Sequence, residues 1–250
     1  MPRAKTAFEL VPLIEGLLRS ELRNGDVLAI SSKYVAISEG RTIVLKDVRP
    51  TPRARELAQT YGMDEHLCEL ILRESDQILG GIPGFLLTSH EGLLTPNAGI
   101  DKSNVEHGVV ALYPRRPESS ARRIRDALKY DLGVDIGVVI CDSRLMPSRR
   151  GTVGVALAAV GFRAILDMRG KNDLFGNVLR VTSQALADDL SSSAQLLMGE
   201  SDEATPMVLV RGMDVGLFGD MRYSPLKFSI SIDEDVFLRS LSAARGQTRS

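Results

Sequence analysis

Tryptophan is absent from these 250 residues, cysteine occurs twice, histidine three times, and neither sign of charge prevails. Each shortage removes a class of chemistry. With no Trp and only 5 Tyr and 7 Phe, the chain has little from which to build a base-stacking platform. Cys68 and Cys141 lie far apart with no Cys-x-x-Cys spacing, and His66, His90 and His107 are scattered, which argues against a zinc site and a disulfide framework. Lys and Arg total 31 against 32 Asp and Glu, a net charge of −1, so no cationic footprint exists for nucleic acid or anionic lipid. The longest apolar run, Val153 to Phe162, is about half the length a bilayer demands and contains Gly154 and Gly161, so no membrane span is expected. Met1 to Thr6 is not followed by a compact apolar region with a small-residue cleavage site, which predicts no signal peptide and a cytoplasmic location.

What is present is the composition of a globular protein, 44% hydrophobic and 25% charged, large enough for one domain or two lobes. No solenoid repeat or dividing linker breaks the chain. Short apolar runs bounded by Gly or Asp predict strands at Asp26–Ser31, Gly108–Tyr113, Val134–Cys141 and Met207–Val210. Thr51-Pro52 predicts a capped helix ending at Gly62, and Asp64 caps a second with Leu67, Leu70 and Ile71 inward. A third is expected from Pro117 to Leu132, burying Ala121, Ile124 and Leu128 and leaving Arg122, Arg123 and Arg125 in water. A fourth begins near Thr182, with Leu186, Leu190, Ala194 and Leu197 on one stripe and Gly199 at its end. The class expected is α+β, or mixed α/β.

The familiar nucleotide signatures are missing: no Gly-x-x-x-x-Gly-Lys-Ser/Thr, no Gly-x-Gly-x-x-Gly and no His-Arg-Asp, nor a Gly-x-Ser-x-Gly nucleophile elbow. What remains is carboxylate chemistry. Three polar segments stand at the ends of apolar elements: Asn97 to Asn104 with Asp101, Asp142-Ser143 with Arg149-Arg150-Gly151, and Met198 to Glu203 with Glu200. Asp142 follows an apolar strand and is expected at its carboxyl end, where open α/β sheets bind ligands. Hard oxygen ligands from several loops, with cations nearby, suit Mg²⁺ or Mn²⁺ and a polyphosphate. A plainer reading stands beside it, with Asp101 capping a turn, Asp142 ending a strand, and Glu200 to Glu203 forming a solvated acidic loop.

At these segments the chain resembles the coenzyme F-420-0:L-glutamate ligases, the gamma-glutamyl ligases of the deazaflavin coenzyme. The match runs through Gly25-Asp26-Val27-Leu28, Ser31-Ser32-Lys33, Ser38-Glu39-Gly40-Arg41, Asn97-Ala98-Gly99-Ile100-Asp101-Lys102-Ser103-Asn104-Val105, Asp142-Ser143 and Arg149-Arg150-Gly151. It continues in Asp167 to Gly176, Leu179 to Thr182, Leu197 to Glu200 and Val208 to Gly212, in order over roughly four fifths of the chain. The resemblance implies a two-lobed α+β fold without a P-loop and an intertwined homodimer. It also implies GTP-dependent amide synthesis in which the F-420-0 carboxylate becomes an acyl phosphate and L-glutamate displaces phosphate. Two divalent ions, Mg²⁺ or Mn²⁺, and K⁺ are implied with it.

Carried over by position, Asp101 and Asp142 resemble ligands of one divalent ion and Ser143 and Glu200 those of a second, while Asp142 and Arg149 are the catalytic candidates. Ser32, Asn104, Glu200, Ser201, Asp202, Glu203 and Thr205 resemble nucleotide contacts. Three departures bear on substrate. Ile37 stands where the family has a nucleotide-contacting lysine; Arg144-Leu145-Met146 replaces an aromatic or polar residue and Gly-Arg, making Arg144 a candidate replacement for the lost charge; and Val11 to Ile14 resembles a nucleotide segment but lies close enough to Gly25 to belong to a helix. Two alternatives stay open: an amide ligase of the same fold acting on another acid and amine, and a nucleotide- or deazaflavin-binding homologue without catalysis.

Overall fold

The computed structural model describes residues 6–214, 218–223, 225–231 and 233–247. In chain order the elements are α1 (Leu10–Leu18), β1 (Val27–Ser31), α2 (Ser32–Ser38), β2 (Thr42–Val44), α3 (Pro52–Tyr61), α4 (Glu65–Glu74), β3 (Gln77–Ile82), β4 (Phe85–His90), β5 (Leu93–Pro96), β6 (Val109–Ala111) and α5 (Pro117–Leu132). There follow β7 (Gly137–Leu145), β8 (Thr152–Phe162), β9 (Leu166–Asp167), β10 (Ser183–Gln184), α6 (Leu186–Met198), β11 (Met207–Val210), β12 (Phe218–Tyr223), α7 (Pro225–Phe228) and α8 (Val236–Gln247). The class is α+β, as expected.

A five-stranded sheet in the order β11-β1-β7-β8-β12 carries the architecture. Only β1 and β7 run parallel in it, with Val27 opposite Gly137 and Ser31 opposite Cys141; the other pairs are antiparallel. Both faces of this sheet are covered, which explains why its strands read as continuous apolar runs rather than alternating ones. Leu28 and Ile30 face a core with Ile14 of α1 and Ile124 and Leu128 of α5, while Val27 and Ala29 face another with Ala187, Leu190 and Ala194 of α6. Strand β8 is the Val153–Phe162 run itself, buried as a core strand. Among the described residues no helix is long and apolar enough to cross a membrane.

A third core lies under α3, α4 and the β3-β4-β5 sheet, around Leu57, Leu70, Ile71 and Leu86. Here the caps act where the sequence placed them: Thr51 Oγ1 accepts from Ala54 N, Asp64 Oδ1 accepts from Leu67 N at 2.9 Å, and Gly62 closes α3 at φ 62°. Strands β3, β4 and β5 were not expected.

Three expectations need correction. Arg125 is buried, not solvated, because its guanidinium reaches over the sheet to donate to Ile136 O at 3.0 Å and Asp135 at 2.6 Å. Helix α6 starts at Leu186 instead of near Thr182, since Ser183–Gln184 is taken by pairing with Leu166–Asp167. Leu197 points into solvent although Leu190 and Ala194 are buried, so the helix's inner stripe ends one turn early. The helix expected for Val11 to Ile14 is present: the segment lies within α1, with Ile14 in the core.

Between β9 and β10 the chain projects as a hairpin-like arm. Its backbone bonds run within itself, from Met168 N to Thr182 O, Gly170 N to Leu179 O and Leu179 N to Lys171 O. At its tip Asp173 accepts from the Phe175 and Asn177 N–H groups. Leu174 is 100% exposed and Phe175 91%.

Candidate active site

Strand β1 stops at Ser31 and turns directly into α2, whereas its parallel neighbour β7 runs on to Leu145 beside β8. The divergence opens a cleft of about 620 Å³ beyond the carboxyl end of the parallel pair. Asp142 therefore lies inside a strand and not at its end, a further correction. Its place is nonetheless special: the β7–β8 register shifts between Ile140 and Cys141, immediately before it, an irregularity of the kind that re-aims side chains at sites.

The cleft is lined by the start of α2 with the loop from Asp101 to Glu106, by β7 from Cys141 to Ser143, and by the end of α6 with the loop to Pro206. Asp101, Asn104, Asp142, Ser143, Glu200, Ser201, Asp202 and Thr205 are thus brought to one cavity from three distant stretches of sequence. Asn104, in the left-handed region at φ 53°, donates from Nδ2 to Ser201 O at 2.7 Å and ties the two loops together. Glu200 accepts from Thr152 Oγ1 and Gln195 Nε2. Glu203 folds back over Gly199, which sits at φ 70°, and accepts from Ser201 N at 2.9 Å; Thr205 donates to Glu203 O.

The two aspartates are held differently. Asp101 Oδ2 pairs with Lys33 Nζ at 2.7 Å, and Oδ1 accepts from Ser103 N at 2.7 Å. Burial pushes its pKa up, but Lys33 and Ser103 outweigh burial and hold it below the ordinary value. Asp142 accepts from Ser32 Oγ on Oδ1 at 2.8 Å and from Tyr113 OH on Oδ2 at 2.7 Å. Burial dominates there and raises its pKa against both hydroxyls and the charge of Arg144, with the negative charge of Asp101 adding to the rise.

Four of the expected site residues do not form the cleft wall. Ser32 acts behind it, through Asp142. Arg144 stands beside Tyr113 and Asp142, its Nε and Nη2 buried and without a hydrogen-bond partner among the described residues. Glu203 acts behind it, against Gly199 and on the Ser201 backbone. Arg149 is exposed on the turn joining β7 to β8, where its N–H bonds Met146 O. Sequence reasoning left three residues unassigned: Lys33, which sat in the matched Ser31-Ser32-Lys33 segment and was the available signal, Ser103, and Tyr113. Ile37 does line the cleft, a hydrocarbon among polar groups.

No thiol chemistry competes. Cys68 and Cys141 are both free and buried, and burial pushes the Cys141 thiol to about 12, far from a reactive thiolate.

The family model for F420-0:Gamma-glutamyl ligase matches residues 1–212. The chain is 44% identical to the Coenzyme F420:L-glutamate ligase of Methanopyrus kandleri over 195 residues, covering 78% of this chain and 77% of that protein. It is 38% identical to the protein of that name from Methanothermobacter thermautotrophicus, covering 86% and 87%, and 37% identical to that from Halobacterium salinarum strain R1, covering 99% and 95%. With the match spanning the cleft and four of the five strands of the sheet that frames it, the chain belongs to the F420-0:gamma-glutamyl ligase family.

Proposed function

We propose that this protein is a GTP- and divalent-metal-dependent ligase that joins L-glutamate to the carboxylate of F-420-0 through an acyl phosphate. The observation that carries the reading is the meeting of Asp101, Asp142, Ser143 and Glu200 in one cleft of a chain from this family. The donor set suits hard cations. Each oxygen of Asp142 already accepts one hydroxyl, yet a carboxylate offers about four acceptor sites, so further capacity remains. Among the described residues no three His, Cys, Asp or Glu close a metal cage. An ion held by one or two carboxylates and completed by water and phosphate oxygens is the usual arrangement for Mg²⁺. Asp101 and Asp142 would hold one ion and Ser143 and Glu200 a second, and bound there they would neutralise charge on the transferred phosphoryl group.

The chain's own groups supply the rest. Lys33 offers a cation at the Asp101 wall, and the Asn104–Ser201 link sets the separation of the loops over the nucleotide. The apolar tip of the arm, Leu174 and Phe175, fits burial in a second copy, so the working form is a homodimer. Potassium would act as a monovalent aid.

Incubation with F-420-0, L-glutamate, GTP and Mn²⁺, followed by mass analysis, tests substrate and reaction together. A mass gain of one glutamyl unit, dependent on both GTP and metal, is expected. GTP turnover without that product would point to another acid and amine, and binding without phosphate release to a homologue that has lost catalysis.

A further inference from the structure

Tyr113 follows β6 and touches both acidic walls. Its ring lies so close to Gly99, two residues before Asp101, that a β-carbon there would collide with it, and Gly99 itself sits in the left-handed region at φ 71°. The strand leading to Tyr113 is tied to the same loop: Asp101 N donates to Ala111 O and Ala111 N to Asp101 O, both at 2.9 Å. At the far end of the ring, the buried hydroxyl donates to Asp142 Oδ2 at 2.7 Å. A single rigid side chain thus connects the loop that presents Asp101 to the carboxylate of Asp142.

We propose that Tyr113 is a positioning residue that holds Asp142 in the same cleft as Asp101, its ring seated on the loop of one carboxylate and its hydroxyl, with that of Ser32, fixing the other. The inference rests on the reading of the cleft as a metal and nucleotide site. The need for two hydroxyls follows from what stands beside them. Arg144 lies next to Asp142 with its Nε and Nη2 buried and without a partner among the described residues, and a carboxylate released by Tyr113 would turn to it, since a charge-assisted pair is stronger than a neutral hydrogen bond. Asp142 would then face Arg144 and not the cleft. Tyr113 and Ser32, one on each oxygen, hold the carboxylate at the cleft that Asp101 also lines.

The test is Mn²⁺ binding by the full chain, read from the free-ion electron paramagnetic resonance signal with and without GTP. Tyr113→Phe retains the ring and loses the hydroxyl; it is expected to weaken Mn²⁺ binding about tenfold, equivalent to about 1.4 kcal/mol, while the circular dichroism spectrum is kept. Ser32→Ala is expected to act in the same direction. In an Asp142→Asn background neither change should weaken binding further, because the carboxylate they position is gone. A purely structural role for Tyr113 would lower the melting temperature and leave Mn²⁺ affinity alone. If Asp142→Asn weakens Mn²⁺ binding and Tyr113→Phe does not, positioning is overturned while the metal reading survives. If Asp142→Asn itself changes nothing, the metal reading falls and the proposal with it. Should Tyr113→Phe lose its fold, unchanged Mn²⁺ affinity in Ser32→Ala overturns the proposal.

Discussion

Asp101 and Asp142 line the same cleft from different walls, the loop after β5 and strand β7, and the fold treats them in opposite ways. Asp101 is the more open: its side chain is 43% exposed, it already holds the ammonium of Lys33, and its pKa is lowered. Asp142 is met by neutral hydroxyls from Ser32 and Tyr113, and burial raises its pKa. Asp101 meets a full charge at its own carboxylate; the hydrogen bonds to Asp142 come from hydroxyls alone, which leave its charge able to take a cation. Asp26 supplies the contrast within this chain. It is 1% exposed, Arg211 holds it through two nitrogens at 2.7 and 2.8 Å, and Arg23 N donates to it at 2.8 Å, all at the opposite end of β1 from the cleft. By this comparison Asp26 serves the fold and Asp142 serves the site.

The largest effect expected is at Asp142. Asp142→Asn should lower turnover by about two orders of magnitude or more, the size of losing one electrostatic stabiliser of a transition state, measured as initial rates at saturating Mn²⁺. Its melting temperature should hold or rise, because burial raises the Asp142 pKa even against its two hydroxyl donors and the charge of Arg144, so the charged form carries a net cost in the folded chain. Near-normal turnover at saturating metal would remove Asp142 from the chemistry. A collapse of stability would place it with Asp26.

Asp26→Asn should do the reverse, with folding free energy falling by about 2 to 3 kcal/mol, less than for a fully buried pair because the Arg211 side chain is 41% exposed. Activity per folded molecule should stay unchanged. The pH dependence has a definite sign. Burial raises the pKa of Asp26, but Arg211 and Arg23 outweigh it and hold the folded value below the unfolded one, near 3.8. The pair's contribution is therefore present above about pH 4 and lost as acid takes the chain down through the folded pKa. Denaturant titrations of wild type and Asp26→Asn should converge at low pH. Curves that stay parallel down to full protonation would mean that the pair contributes nothing.

Asp101→Asn should cost turnover about tenfold, an order of magnitude less than Asp142→Asn, since an exposed acid already neutralised by Lys33 is the easier one for water and phosphate oxygens to replace. Equal losses at the two positions would break the comparison between the walls.

Much of this contrast was legible before the structure, and the remainder was hidden for identifiable reasons. The caps at Thr51 and Asp64 and the inner stripe of α5 are local chemistry, so spacing revealed them. Arg125 was misplaced because its acceptors, Asp135 and Ile136 O, belong to the chain beyond the helix, and no helical pattern reports a partner across a sheet. Strands β3 to β5 escaped because Gly80, Gly81 and Gly84 break any alternation. Polar segments at element ends pointed to Asp101, Asp142 and Glu200. Tyr113 could not be found that way: a tyrosine closing an apolar strand looks like core, and its role lies in a 2.7 Å contact with a residue 29 positions on.

The smallest effect expected sharpens the comparison at the wall of Lys33. Ile37 is 4% exposed, lies one turn after Lys33 on α2 and lines the cleft where the family resemblance calls for a lysine. Restoring that charge by Ile37→Lys adds at most one charge-assisted hydrogen bond to a phosphate, roughly 1.5 to 3 kcal/mol. Desolvating an ammonium at a nearly buried position offsets part of this, and Lys33 already serves the same wall. The net expectation is GTP binding tightened severalfold, and less than tenfold, by calorimetry in Mn²⁺. Arg144→Ala tests whether that residue replaces the missing lysine. Its Nε and Nη2 are sealed against Tyr113 and Asp142 instead of lining the cleft, so GTP affinity should change less than it does in Ile37→Lys. A double-mutant cycle decides between the two placements. Independent effects leave Arg144 with Asp142, on the β7 wall. A strong loss of GTP affinity in Arg144→Ala that Ile37→Lys repairs would move its charge to the nucleotide and make the two walls one binding surface.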